Sequence, residues 1–270
     1  MLRHGPIVTL LTDFGDRDGY VAQMKGVMLS ILPTINFVDI SHHVPPQNVL
    51  IGALLLRNTF PTFPDGTIHL AVVDPGVGTD RRVVAVQVGQ HWLVGPDNGL
   101  LSLVAVVEKI DRAVAIENSA IWRHPVSRTF HGRDIMAPAA AHLAKGAELA
   151  ELGPPIDELV RLQPPEPIRQ AGKLVGQILC VDHFGNIMLS LPAQNDYFGA
   201  RDKSLVTFSS GGVEFSLPFV ETYSDVPPGQ LMLLEGSQGF LEIAARDGAA
   251  NQMLRLREGA QITLSIPSGQ

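Results

Sequence analysis

The sequence predicts an α/β protein in two parts: an N-terminal α/β sheet domain over residues 1–160, then a Pro-rich linker over 161–172 and a smaller all-β C-terminal domain over 173–270. Three observations carry this expectation. Through the first half, short β-branched runs alternate with helix-period apolar patterns. Pro154, Pro155, Pro164, Pro165 and Pro167 then crowd a stretch without sustained periodicity. Beyond it, strand-length apolar runs recur between Gly, Pro, Asp and Ser turns, the spacing of a small barrel or sandwich. The length, 270 residues, exceeds the usual single domain and agrees with two.

In chain order, residues 7–11 read as a buried strand. Residues 20–32 place Val21, Met24, Val27, Met28 and Ile31 at helical spacing until Pro33 stops them. Residues 36–40 form the next strand. Asn48 caps an apolar helix over 49–60 that Pro61 and Pro64 end, and a strand over 67–73 leads directly into Asp74. Residues 82–88 and 91–94 make a hairpin around Gly89, residues 100–107 a helix, and residues 134–145 another, with Pro138 in its first turn or kinking it and Gly146 beyond its end. In the second half, strands are expected over 174–181, 187–191, 205–208, 213–217, 230–234 and 261–266.

Composition narrows the function. Hydrophobic residues make up 45% and charged residues 17% of the chain, so a sizeable core is available and disorder is excluded. A net charge of −7 disfavours nucleic acid or an anionic membrane as partner and suits a small cationic ligand. No apolar run approaches the roughly 20 residues of a membrane span. Residues 1–14 lack a secretory pattern, so the expected location is cytoplasmic. Cys180 is the only cysteine, which removes intramolecular disulfides and cysteine-based zinc sites; a buried, inert thiol is expected. The histidines show no ligand spacing, so no metal is expected.

Polar motifs gather where strands of the α/β half end, the edge at which open sheets place ligands. Thr12-Asp13-Phe14-Gly15 with Asp18 offers a carboxylate able to hold a vicinal diol. Its spacing matches neither a dinucleotide fingerprint nor a P-loop, and its Asp-Phe-Gly lacks a kinase context. Asp74-Pro75-Gly76-Val77-Gly78-Thr79, followed by Arg81, brings a carboxylate and a guanidinium to one Gly-rich turn. Gly95-Pro96-Asp97-Asn98-Gly99 is a turn signal in its own right. Phe130-His131-Gly132-Arg133-Asp134 puts an imidazole just ahead of a helix, where it can titrate near neutrality. In the second half, Asp182-His183-Phe184-Gly185-Asn186 offers an aromatic face and an amide suited to a base, and residues 236–242, with Ser237, Gln238 and Glu242, form a polar loop.

In this order the motifs closely resemble those of the S-adenosyl-L-methionine (SAM) hydroxide adenosyltransferases, SAM hydrolases related to the fluorinase and chlorinase enzymes, from about residue 7 to 250. The resemblance implies an N-terminal α/β domain and a C-terminal β-barrel. It also implies a homotrimer with SAM held between domains of neighbouring subunits, and neither metal nor separate cofactor. By this likeness Asp74, Arg81 and His131 polarise a water for catalysis. Asp13 holds the ribose, Asp18 and Asp182 the methionine ammonium, Asn186 the adenine edge and Ser237 the methionine carboxylate; Phe130, Phe184 and Glu242 complete the expected substrate contacts. The implied products are adenosine and L-methionine. Halogenating relatives carry an aromatic residue near the position of Asp74, and the fluorinase a serine where Gly132 stands. Gln238 departs from the arginine of the fluorinase-like pattern. SAM-dependent halide transfer of the chlorinase type and SAM or adenosine binding without turnover are the alternative readings.

Overall fold

The computed structural model describes residues 5–193 and 204–265, and it divides the chain into two compact units, Met1–Leu162 and Gln163–Gln270. Of the first strand-to-strand expectations in the second unit, the end of the predicted 261–266 strand, Ile266, lies outside the described residues.

The first unit is built on a six-stranded sheet in the order β2-β1-β3-β5-β4-β6, comprising β1 (Ile7–Thr12), β2 (Asn36–Ser41), β3 (Ile68–Val72), β4 (Val83–Val88), β5 (His91–Pro96) and β6 (Ile110–Ala115). The first four strands in that order are parallel; β4 and β6 run antiparallel to their neighbours. Alternation along the strands sorts the faces. Val8 and Leu10 of β1 join Ile68, Leu70 and Val72 of β3 in a core shared with α1 (Tyr20–Ile31), through Met24 and Met28, and α3 (Ala137–Ala144). Helix α2 (Val49–Thr59) is capped by the Asn48 side chain, which accepts from Ile51 N. Its Gly52 stands where a Cβ would lie 2.8 Å from Leu100 and 3.1 Å from Val73, so glycine permits this approach.

Two predicted helices change character. Residues 100–107 form only a short 3-10 turn, Ser102–Val106, and the helix expected over 134–145 opens as a π turn, Gly132–Met136, before α3 continues it. Strand β6 has no clear sequence signal, because Asp111 and Arg112 interrupt its apolar alternation; Arg112 instead donates to Gln87 of β4 at 2.7 and 3.1 Å.

The second unit is antiparallel. Its strands are β7 (Ile168–Gln170), β8 (Lys173–Val181), β9 (Ile187–Pro192), β10 (Leu205–Ser210), β11 (Val213–Pro218), β12 (Leu231–Glu235), β13 (Phe240–Ala245) and β14 (Gln261–Ser265). The path β11-β10-β14-β8-β9-β13-β12 nearly closes on itself, since Phe219, just past β11, bridges Leu233 of β12. Leu174, Ile178, Leu189, Phe208, Ile243 and Leu264 fill the interior. This is the barrel-like C-terminal fold, and closure leaves few free edges. Within the stretch expected as a linker over 161–172, residues 168–170 instead pair with β8 as β7, and the units divide between Leu162 and Gln163. Cys180 sits at a bulge in β8, half-buried; burial and the nearby Glu258, Asp182 and Glu242 carboxylates push its thiol up to about 12.

Candidate active site

In the first unit the parallel neighbours β1 and β3 deliver Asp13 and Asp74 from their carboxyl ends. Asp74 opens a tight turn in which Val77 N donates to Asp74 O and Thr79 N to Gly76 O. Gly78 holds a left-handed φ of 82°, and a Cβ there would meet Arg128 O at 2.8 Å, so this turn requires glycine. The turn returns Arg81 onto Asp74 as a two-pronged ion pair: Arg81 Nε donates to Asp74 Oδ1 at 2.8 Å and Nη2 to Oδ2. The same Nη2 reaches His131 Nδ1 at 3.1 Å, so residues distant in the chain meet in one hydrogen-bonded row. The Asp74 and Arg81 side chains are 6% and 10% exposed, which strengthens their interaction relative to a surface pair. Burial, then the neighbouring Arg81 charge, hold His131 below the ordinary imidazole range, against the opposing pull of Asp74 and Asp134.

The π turn that follows His131 is braced by a buried carboxylate. Asp134 accepts from Arg133 Nε at 2.7 Å, Arg133 Nη2 at 2.8 Å, Arg123 Nη1 at 3.1 Å and Ser127 N at 2.8 Å. Burial raises its pKa, but these donors outweigh burial and hold it below the usual carboxylate range. Arg133 also lies over the Phe130 ring, 4.9 Å from its centroid, and donates to Gln23 of α1. Phe130, in turn, makes edge contacts with Phe14, inside the Asp13–Asp18 segment, and with Tyr20, just beyond it. Sequence reasoning places Asp134 at a helix start and misses this bracing role; the only available signal is the pair of arginines, Arg123 and Arg133, around it.

Asp13 lies at the end of β1, where its Oδ2 accepts from Gln47 N at 2.8 Å; Asp18 is exposed on the following loop. Thr12, beside Asp13, bonds His42 Nδ1 at 2.9 Å, and Gly15 N donates to His42 O at 2.7 Å, so the loop after β2 fixes the Asp13 loop. Asp97, another carboxylate at a strand end, serves structure. It accepts from Arg82 and from Val160 N, while its neighbour Asn98 donates to Val73 O at 2.8 Å and steadies the residue before Asp74.

In the second unit, Asp182 and Asn186 form a self-contained turn after β8. Asp182 Oδ1 accepts from Phe184 N and Asn186 N at 2.9 and 2.8 Å, and Oδ2 from Asn186 Nδ2 at 3.0 Å. Asn186 is buried and its amide orientation is thereby set; Phe184, at 74% exposure, presents its ring to solvent. Ser237 is exposed in the turn between β12 and β13. Glu242 belongs to β13, a strand the sequence reading treats as loop, and accepts from Tyr223 Oη at 2.8 Å. Burial and the Asp182 charge raise Glu242; burial, the bond to Glu242 and the carboxylates push Tyr223 up to about 12. Among the described residues, no group of three or more His, Cys, Asp or Glu is arranged to hold a metal ion, and no helix is long and apolar enough to cross a membrane.

The chain is also similar to known proteins. Residues 8–153 match the family model described as the SAM hydroxide adenosyltransferase N-terminal domain, and residues 176–263 the corresponding C-terminal domain. The chain is 40% identical to an (R)-S-adenosyl-L-methionine hydrolase of Salinispora tropica, across 96% of this chain and 98% of that protein. It is 29% identical to a fluorinase of an Actinoplanes species, across 96% and 97%. A crystal structure of an uncharacterized conserved protein from Thermotoga maritima superposes with a TM-score of 0.87 at 35% identity, covering 95% of this chain and 99% of that one.

Proposed function

The chain belongs to the SAM hydroxide adenosyltransferase family, and from that premise we propose that it is a SAM hydrolase, in which water attacks C5′ of S-adenosyl-L-methionine to give adenosine and L-methionine. The observation that carries this reading is the contact row Asp74–Arg81–His131. The sulfonium of SAM already supplies a good leaving group, a neutral thioether, so the task left to the protein is to hold one desolvated oxygen nucleophile in line with the C5′–S bond. A carboxylate and an imidazole fixed against one guanidinium are suited to that positioning.

Asp13 at the ribose, Asp18 and Asp182 at the methionine ammonium, Asn186 at the adenine edge and Ser237 at the methionine carboxylate are part of the same proposal, with Phe130, Phe184 and Glu242 nearby. Asn186 is buried with its amide oriented by Asp182, which supports edge recognition of a base. Neither a metal nor a separate cofactor is part of this proposal. A homotrimer with substrate at subunit interfaces and a cytoplasmic location complete the reading.

Halide transfer is the competing activity, because fluorinases are among the relatives. The buried carboxylate of Asp74 favours water, since a negative charge beside the nucleophile site repels halide. Incubation with SAM in ¹⁸O-water is expected to place one label in the 5′-hydroxyl of adenosine and none in methionine. An unlabelled adenosine, or a halo-adenosyl product that grows with added chloride, overturns the proposal. Tight binding of SAM without release of methionine identifies a non-catalytic binder.

A further inference from the structure

We propose that His131 works as the Nε2–H tautomer, donating a hydrogen bond to the attacking water, and that Asp74 is the group that receives the proton. This assignment rests on the hydrolase reading above and divides the labour within it.

The argument starts from the donor inventory. A guanidinium has N–H groups and no acceptor, and it stays charged at any working pH. The 3.1 Å contact from Arg81 Nη2 to His131 Nδ1 is therefore a hydrogen bond only if Nδ1 supplies its lone pair. In a neutral imidazole the single hydrogen must then sit on Nε2. An imidazolium would set N–H against N–H at that distance. The groups whose charges act on His131 are Arg81, Asp74 and Asp134, and burial together with Arg81 prevails in keeping the ring neutral.

Two consequences follow for catalysis. The lone pair of the ring is engaged by Arg81, and its remaining nitrogen carries a hydrogen, so His131 has no site left to take a proton from water. It can present Nε2–H to the water oxygen and fix its direction. Asp74 is acceptor-only in its ionised form, and each carboxylate oxygen has a second lone-pair site beyond the one that Arg81 occupies.

A weak base is sufficient for this reaction. As the water oxygen forms its bond to C5′, the C5′–S bond breaks and its electron pair leaves with sulfur, giving neutral methionine thioether. The attacking oxygen becomes a protonated alcohol, far more acidic than water, and passes one proton to the Asp74 carboxylate as the bond closes. Asp74 later returns that proton to solvent. Sulfonium cation plus water thus becomes adenosine, methionine and one proton. Arg81 acts through both partners, since one guanidinium orients the base and locks the tautomer.

The assignment can be read without turnover. Protein labelled with ¹⁵N in histidine, compared with His131→Gln to identify the resonances, is expected to show His131 with a bare Nδ1 and a protonated Nε2 at pH 7.5. A protonated Nδ1 or an imidazolium overturns the proposal. Kinetics supply the second arm, because glutamine can donate one N–H but cannot act as a base. His131→Gln is expected to lose about tenfold in kcat, whereas Asp74→Asn, which keeps shape but removes the acceptor charge, loses more than about a hundredfold. The reverse order, with His131→Gln as impaired as His131→Ala and Asp74→Asn the milder change, assigns the base to His131 and overturns the proposal. Wild-type protein that releases no adenosine from SAM instead defeats the hydrolase reading, while the tautomer measurement still stands or falls by itself.

Discussion

The two units place carboxylates at their candidate sites in opposite ways. In the first, Asp74 and Asp134 are buried and each is held by arginine: Asp74 by Arg81, Asp134 by Arg123 and Arg133. In the second, Asp182 is exposed and is held by its own turn, through the backbone of Phe184 and Asn186 and the Asn186 amide. The first pairs each carboxylate with arginines one to eleven residues away, reaches a distant segment only through Arg81 and His131, and fixes charge in a low-dielectric setting. The second is local, forms within five residues and orients an amide. The contrast suits the proposed division, in which the first unit would aim reacting groups and the second would recognise a base.

Three changes test that contrast, from the largest effect downwards. Asp134→Asn takes the counter-charge from Arg123 and Arg133, which are partly exposed and can be rehydrated, and should destabilise the protein by about 2–3 kcal/mol, whereas Asp182→Asn, at the exposed turn, should cost about 1 kcal/mol. Urea denaturation measures both, and equal losses would erase the distinction. Arg81→Gln should lower kcat by about a hundredfold while adenosine affinity stays within about tenfold, the mark of a group that acts on the reaction rather than on the bound nucleoside. Steady-state kinetics with calorimetric adenosine titration decide it, and a parallel loss of affinity would assign Arg81 to binding.

The smallest effect is in pH dependence. His131 must stay neutral to accept from Arg81, and its folded pKa lies below the ordinary value. Activity should therefore hold through pH 6.5 and fall only on further acidification, as the ring gains its proton. The same sign governs stability. The unfolded chain binds a proton at His131 near pH 6.5 and the folded one only lower, so this contribution is intact above 6.5 and declines as pH drops through the folded value. A kcat/KM profile with its acidic limb at or above 6.5 would contradict this.

Much of the arrangement is legible in the sequence because it depends on local chemistry. The β-branched runs of β1 and β3, the Asn48 cap, and the glycines that allow the Asp74 turn all declare themselves within a few residues. What is hidden depends on tertiary pairing. Strand β6 carries Asp111 and Arg112 and becomes a strand because β4 offers Gln87 opposite Arg112. Strand β13 hides behind the polar turn that precedes it, and β7 lies in a proline-rich stretch. Asp134 resembles a helix-start residue until the 123–127 segment folds back to supply its donors. The π turn has no pattern of its own; the local sequence is compatible with a regular helix.

The bulge in β8 has a practical corollary. Its thiol is the sole sulfhydryl of the chain, half-shielded and kept protonated up to about 12 by burial and surrounding negative charge. Thiolate is the form that reacts with alkylating and disulfide reagents, so the native barrel keeps this cysteine chemically quiet at neutral pH. Opening of that barrel restores an ordinary sulfhydryl, and the rate of labelling becomes a built-in gauge of how often the C-terminal half unfolds, available without adding a probe.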